Sequence, residues 1–289
     1  MKIFTLGATG FIGSAVINIL LAHQHEVIAL AHHQKAKKAL KAKGIKTVNG
    51  DLRAPESWVD HIFEADAVIH VASTFTDDMG DIDKNLLKIM QSCAIKKRKK
   101  IKLIYTGGCW LYGQTGNHVV TETDAFNPIA PFKWSVETIN FIQNSPTFEA
   151  TIIHPAMVYD RDGGTLDRFI TLAKTNQQIE VWGSLATRWP VVHRQDLAQA
   201  YRLAVESQQT GQSYNVSGQD GVSVGDMVSA LEKRFTLTLP TKIRSPQDAV
   251  ETLGEWAIGY TLDQQMSAHK IKQALDWQPQ FTDMIKQIS

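Results

Sequence analysis

The chain has 289 residues, with 30 Lys and Arg against 29 Asp and Glu, a formal charge of +1, and 43% apolar residues. This balance argues against a disordered chain, and no apolar run is long enough to span a membrane. Near-neutral charge gives no electrostatic ground for binding nucleic acid or a membrane surface. Cys93 and Cys109 alone make neither a disulfide scaffold nor a metal-ligand spacing. The opening Met1–Leu6 run is too short, and too soon broken by Gly7, for a secretion signal. A cytoplasmic location is expected.

In chain order, Lys2–Leu6 reads as a strand, followed by a glycine-rich turn and a helix over Ile12–Ala22. Glu26–Ala31 is a second strand and Lys35–Lys43 a second helix. Ile45–Asn49, Ala67–Ala72, Ile101–Thr106 and Thr151–His154 continue the strands; Leu86–Lys97 and Phe132–Gln143 continue the helices. Short apolar strands alternating with helices predict an α/β, doubly wound parallel-sheet Rossmann fold with a smaller C-terminal lobe. Residues 1–155 should form the Rossmann domain, with 188–210, including a helix over Gln195–Ser207, returning to it. Residues 156–187 and 211–289 should form the smaller lobe. The basic run Lys96–Lys100 reads as a solvated helix end.

Gly7-Ala-Thr9-Gly10-Phe11-Ile12-Gly13 lies between the first strand and the first helix. Gly7 permits a tight turn, Gly10 admits a pyrophosphate close to the backbone, and Gly13 lets helix and strand pack closely. The helix N-terminus then meets the anion with free N–H groups and the positive end of its dipole. A bare βα turn is the plain alternative. NAD-binding folds place an acid after the second strand for the ribose hydroxyls. Here that place holds His32, His33 and Lys35, which suit a 2′-phosphate and favour NADP(H) over NAD(H). These three could equally be solvated residues opening the next helix. Asp51 and Leu52 follow the third strand and suit the adenine, although Asp51 also fits a turn.

These motifs are joined by Val68–Ser73, Tyr105–Gly113, His154–Tyr159, Trp189–Ala198 and Leu275–Pro279. Together they make the sequence similar, over nearly its whole length, to the extended short-chain dehydrogenase/reductase superfamily of the NAD-dependent epimerase/dehydratase type. The resemblance adds Ala72, Ser73, Thr106, Gly107, Pro155, Ala156, Met157 and Val158 to the cofactor residues. It makes the C-terminal lobe the cover of a small-molecule substrate, and it implies a homodimer through helices such as Leu86–Lys97 and Phe132–Gln143. It also implies a catalytic Ser, then Tyr-x-x-x-Lys on a helix. Those positions fall on Gly108, Phe132 and Val136, and no Tyr-x-x-x-Lys occurs anywhere in the chain. A positioned acid/base contributes about 10²–10⁴-fold to rate.

Substitutes are Tyr112, after the fifth strand, and Lys133, one residue past Phe132. Each also has a structural reading: Tyr112 as a packed residue, and Lys133 in a surface ion pair with Glu137. Cys109 could be a nucleophile or a small packing residue, and His118 and His193 could move protons. Tyr159 could border the nicotinamide or pack between the lobes. The cleft should be lined by Ser73, Thr74, Phe75, Trp110, Trp134, Arg188 and Trp189, suiting a planar or apolar substrate with an anionic group. The expected function is an epimerase/dehydratase-like oxidoreductase. The alternative is a non-catalytic NADP(H)-binding redox sensor or regulatory protein.

Overall fold

A computed structural model describes all residues 1–289. Its main sheet has seven strands. Lys2–Leu6, Glu26–Ala31, Lys46–Asn49, Ala67–His70, Ile101–Thr106, Phe148–Pro155 and Gln212–Val216 compose it in chain order. Numbered in that order, they lie 7-6-5-4-1-2-3 across the sheet. Pairing from the third strand across to the sixth is parallel throughout. The chain therefore winds outward from the first strand in both directions, the Rossmann arrangement. Ile3, Phe4, Leu6, Ile28, Ile69 and Leu103 are fully buried, as a parallel sheet covered on both faces requires.

The expected strands are present, Thr151–His154 as part of the longer Phe148–Pro155, and one helix begins well before its expected start. The helix expected at Leu86 begins at Met79 and runs to Lys97. Gly80, Asp81 and Asp83 disguise its first turns, since all three are poor helix formers. Packing overrides propensity there: Met79 and Asp83 are buried, and Asp83 accepts the Tyr105 hydroxyl proton at 2.6 Å. Gln212–Val216, the seventh strand, falls in the stretch 211–289 assigned to the smaller lobe and has no counterpart among the expected strands.

Two compact units divide the chain. The first comprises Met1–Gly107, Trp134–Ile153 and Ala198–Ser213; the second comprises Gly108–Lys133, His154–Leu197 and Tyr214–Ser289. Residues 108–133 thus group with the second unit rather than with the Rossmann domain, and the returning segment is 198–213 rather than 188–210. Local pairing accounts for this grouping of 108–133. Val119–Val120 forms a parallel pair with Gln265–Met266 of the same unit. Gln264, 2% exposed, donates from Nε2 to the carbonyls of Cys109 and Gly113. A four-stranded sheet in this unit contains Gln219–Ser223, Arg188–His193, Met157–Asp160 and Gly163–Gly164. No helix is long and apolar enough to cross a membrane.

Candidate functional site

In the first unit, the strand Lys2–Leu6 ends in a turn that only glycine satisfies. Gly7 has φ +88°, and a Cβ there would stand 2.7 Å from the Ala72 nitrogen. A Cβ at Gly13 would stand 2.0 Å from the Gly7 carbonyl oxygen, so the helix can approach the turn only without a side chain. Gly10 is different. It has an ordinary φ of −72°, and a Cβ there would meet nothing nearer than 3.4 Å. The space over Gly10 is open and Thr9 is exposed. Gly10 N–H donates to the Gly7 carbonyl at 3.0 Å, closing the turn. The helix Phe11–Ala22 begins here with no side-chain cap and no acid in its first turn. An uncapped N-terminus over an open glycine is a ready anion site. Phe11 and Ile12 are half-buried at its start.

The residues after the second strand are placed more specifically than the sequence suggested. His33 is the N-cap of the helix Gln34–Lys41: its Nδ1 accepts from the Ala36 N–H at 3.0 Å. His33 thus opens the next helix as its cap, and only Nε2 is left for another partner. His32 is 70% exposed, with Nε2 3.2 Å from Asp51 Oδ2. Asp51 also accepts from the Arg53 N–H at 2.9 Å, so it serves as the turn residue there. Leu52 is half-buried and Lys35 exposed. No acidic residue occurs between Glu26 and Asp51.

The loop after the fourth strand carries Ala72, Ser73, Thr74 and Phe75. Ser73 Oγ accepts from Phe75 N–H at 3.4 Å, and Thr76 Oγ1 donates to Thr74 Oγ1 at 2.8 Å. Phe75 is 53% exposed with φ +50°. Thr106 was expected at the cofactor, but its hydroxyl is engaged within the sheet. It donates to the His70 carbonyl at 2.6 Å and lies 2.7 Å from Tyr201 Oη. Gly107 N–H donates to Ile153 O at 2.7 Å. Trp134, expected to line the cleft, packs instead on Gly80, where a Cβ would come 2.6 Å from its ring. Its Nε1 is buried with no partner. Val136 is half-buried on the helix Lys133–Asn144.

In the second unit, Tyr112 is unsuited to proton exchange. It is 4% exposed, and its hydroxyl donates to Asn215 Oδ1 at 2.8 Å. Burial pushes its pKa well above the ordinary tyrosine value. Cys109 is buried, and burial pushes its thiol up to about 12, which leaves it a packing residue. Lys133 is exposed. Glu137, expected as its ion-pair partner, instead lies 3.8 Å from Lys84 within the first unit. Nothing lies within 4 Å of a Cβ at Gly108, so that position is open. Phe132 packs against Trp110, ring centroids 5.6 Å apart. Trp110 in turn lies on Gly259, where a Cβ would be 2.5 Å from the indole.

Arg188 was expected to receive an anionic substrate, but its charge is already matched. Nε and Nη2 grip both oxygens of Asp263 at 3.0 and 2.6 Å, and Nη2 also donates to Asn117 Oδ1. No pattern in the sequence singles out Arg168, rather than Arg188, as the arginine beside the aromatic residues. Trp189 does line a pocket, together with Arg168, Trp182 and Tyr260. Pro155, Ala156 and Met157 are buried; Ala156 N–H donates to Val216 O and Val158 O accepts from Thr165 N–H. Tyr159 is fully buried with an unpartnered hydroxyl, its ring 5.3 Å from His193. His193 accepts from the Gln195 N–H at 3.3 Å and stacks on Phe281, and burial lowers its pKa. His118 lies 2.7 Å from Asp124.

A family model described as "NAD dependent epimerase/dehydratase family" matches residues 3–217. Among curated proteins, the chain is 27% identical over its whole length to an uncharacterised protein of Saccharomyces cerevisiae, covering 98% of it. It is 23% identical to a decarboxylating sterol-4-alpha-carboxylate 3-dehydrogenase of Dictyostelium discoideum, over 77% of this chain and 72% of that protein. Among solved structures, it resembles Thermus thermophilus UDP-glucose 4-epimerase complexed with NAD. That comparison has a TM-score of 0.80 and 19% identity, and covers 100% of this chain and 97% of the other. At that identity the likeness speaks for the fold.

Proposed function

Since the chain belongs to the NAD-dependent epimerase/dehydratase family, we propose that it is a nicotinamide-dinucleotide oxidoreductase that prefers NADP(H) and works without a Tyr–Lys pair. The observation that carries this reading is the turn at Gly7–Gly13. Two of its glycines are demanded by packing, while the third, Gly10, leaves space that a pyrophosphate would fill. Gly7, Thr9, Gly10, Phe11, Ile12 and Gly13 would hold that group. Asp51 and Leu52 would flank the adenine; Ala72 and Ser73 follow on the neighbouring strand end. Preference for NADP(H) rests on the missing ribose acid and on the exposed Lys35 and His32, with His33 contributing through Nε2 alone. When bound, the dinucleotide supplies or receives hydride. The accompanying proton would be exchanged with solvent, because the Tyr112 hydroxyl is committed to Asn215.

Calorimetric titration with NADPH, NADP⁺, NADH and NAD⁺ tests the reading. Micromolar NADPH with at least tenfold weaker NADH is expected. Absence of binding by all four overturns the proposal, and equal affinity removes the NADP(H) preference. A second reading, a non-catalytic redox sensor, is favoured by Phe132 and Val136 at the positions where the family motif has Tyr and Lys. It requires no turnover over a panel of carbonyl compounds and a large difference in affinity between NADPH and NADP⁺. A ligand pair bound equally well shifts no conformational equilibrium.

A further inference from the structure

Trp58, in the first unit, is 1% exposed and joins two short helical turns, Pro55–Ser57 and Val59–Glu64. Its ring lies nearly parallel to that of Phe4 on the first strand, with centroids 6.0 Å apart. Any large apolar ring could fill this place. What tryptophan adds is the indole N–H, and a buried N–H needs an acceptor. Here Nε1 donates at 2.7 Å to the main-chain carbonyl of Asp51, which also accepts from the Ala54 N–H at 3.1 Å. Gly50 makes room for the indole: a Cβ there would stand 2.3 Å from its Cδ1.

This bond fixes more than a carbonyl. No peptide bond in the chain is cis, so the Leu52 N–H points opposite to the Asp51 carbonyl. With that carbonyl turned in toward the buried indole, the Leu52 N–H turns outward, and it donates to no group of the chain. The half-buried Asp51 carboxylate stands beside it. Its Oδ1 accepts from the Arg53 N–H at 2.9 Å, and its Oδ2 lies 3.2 Å from His32 Nε2. One outward donor and one carboxylate acceptor thus sit together on a turn that the indole braces from the core side. Such a pair complements adenine, which offers a ring-nitrogen acceptor beside an amino donor.

We propose that Trp58 is a positioning residue for the adenine half of the dinucleotide. Its indole N–H aims the Asp51–Leu52 peptide, and through it the acceptor and the donor that meet the base; the indole itself touches no ligand. This role rests on the dinucleotide reading above. The brace is measurable without dinucleotide, so the two can fail separately.

The test is calorimetry of the full chain with NADPH and with its hypoxanthine analogue, in which a carbonyl replaces the adenine amino group. The parent chain should prefer NADPH at least tenfold, since the analogue sets a carbonyl oxygen against the Asp51 carboxylate. Trp58→Phe keeps a ring against Phe4 but has no N–H. It should bind NADPH about as weakly as the parent binds the analogue, with the preference gone, and thermal melting checks its fold. Trp58→3-benzothienylalanine, which keeps the shape of the indole without its N–H, serves if Trp58→Phe does not fold. Hydrogen exchange without ligand reads the brace directly: the Ala54 amide, bonded to the same Asp51 carbonyl, should exchange several-fold faster in either variant. The proposal is overturned if a folded variant keeps the parent's preference for NADPH or if Ala54 exchange is unchanged. Equal affinity of the parent for both dinucleotides also overturns it. If the parent binds neither, the dinucleotide reading falls and this role with it, a result distinct from a preference retained in the variant.

Discussion

Replacing Gly10 and Gly13 separately by alanine should divide folding from dinucleotide binding. At Gly10 the backbone is extended and the added Cβ would lie 3.4 Å from the Gly7 carbonyl oxygen, an ordinary contact. Reduced freedom of the unfolded chain stabilises Gly→Ala by about 0.4–1 kcal/mol. Gly10 is also the N-cap of Phe11–Ala22, where alanine is poorer than glycine by roughly 0.5 kcal/mol. The two effects nearly cancel, so Gly10→Ala should leave the urea midpoint close to that of the parent chain. The same methyl group occupies the space assigned to the pyrophosphate, so NADPH affinity should fall at least tenfold, about 1.4 kcal/mol. Gly13→Ala should behave differently. Its Cβ would stand 2.0 Å from a backbone oxygen, and relieving that contact requires moving the helix. A loss of roughly 1–3 kcal/mol in stability is expected, together with loss of binding. Urea unfolding and NADPH calorimetry on both variants decide the matter. Unchanged NADPH affinity in Gly10→Ala would refute the backbone approach at Gly10, whatever Gly13→Ala does.

Three further predictions concern the second unit. Tyr112→Phe removes the donor to Asn215 Oδ1 and should cost about 1–3 kcal/mol of stability by urea titration. Lost turnover without lost stability would instead restore Tyr112 as an acid. His154 is fully buried, and burial lowers its pKa to about 4, below the 6.5 expected when unfolded. The unfolded chain therefore binds the proton first, and stability should fall as pH drops from about 6.5 towards 4, by up to about 3 kcal/mol. His154→Phe should flatten that interval of the urea midpoint-against-pH curve. The Arg188 guanidinium holds the Asp263 carboxyl below its ordinary value, so this pair stabilises above pH 4 and its contribution disappears on acidification through the lowered pKa. Asp263→Asn should remove that component of acid sensitivity, read as melting temperature between pH 5 and 2.

The glycine turn was legible because its requirements are local: a strand, three glycines at fixed spacing and a helix, all within a dozen residues. The side-chain roles were harder, because each depends on a partner distant in sequence. His33 looked like a phosphate ligand, and its capping bond to Ala36 is a rotamer choice that composition does not reveal. Arg188 looked like the anion receptor until Asp263, 75 residues away, accounted for its charge. Arg168 gave no signal, since a lone arginine in a helical pattern is ordinary until the fold places Trp182 under it.

The order of strands and helices, the dinucleotide-type turn and the absence of a Tyr-x-x-x-Lys pair are legible in the chain, because periodicity, glycine spacing and residue identity are local properties. Folding places Gln212–Val216 as the seventh strand and commits Tyr112 to Asn215. It also gathers four tryptophans around Tyr260. These are matters of which distant groups share a low-dielectric interior, where each buried polar atom needs a partner and each guanidinium a counter-charge.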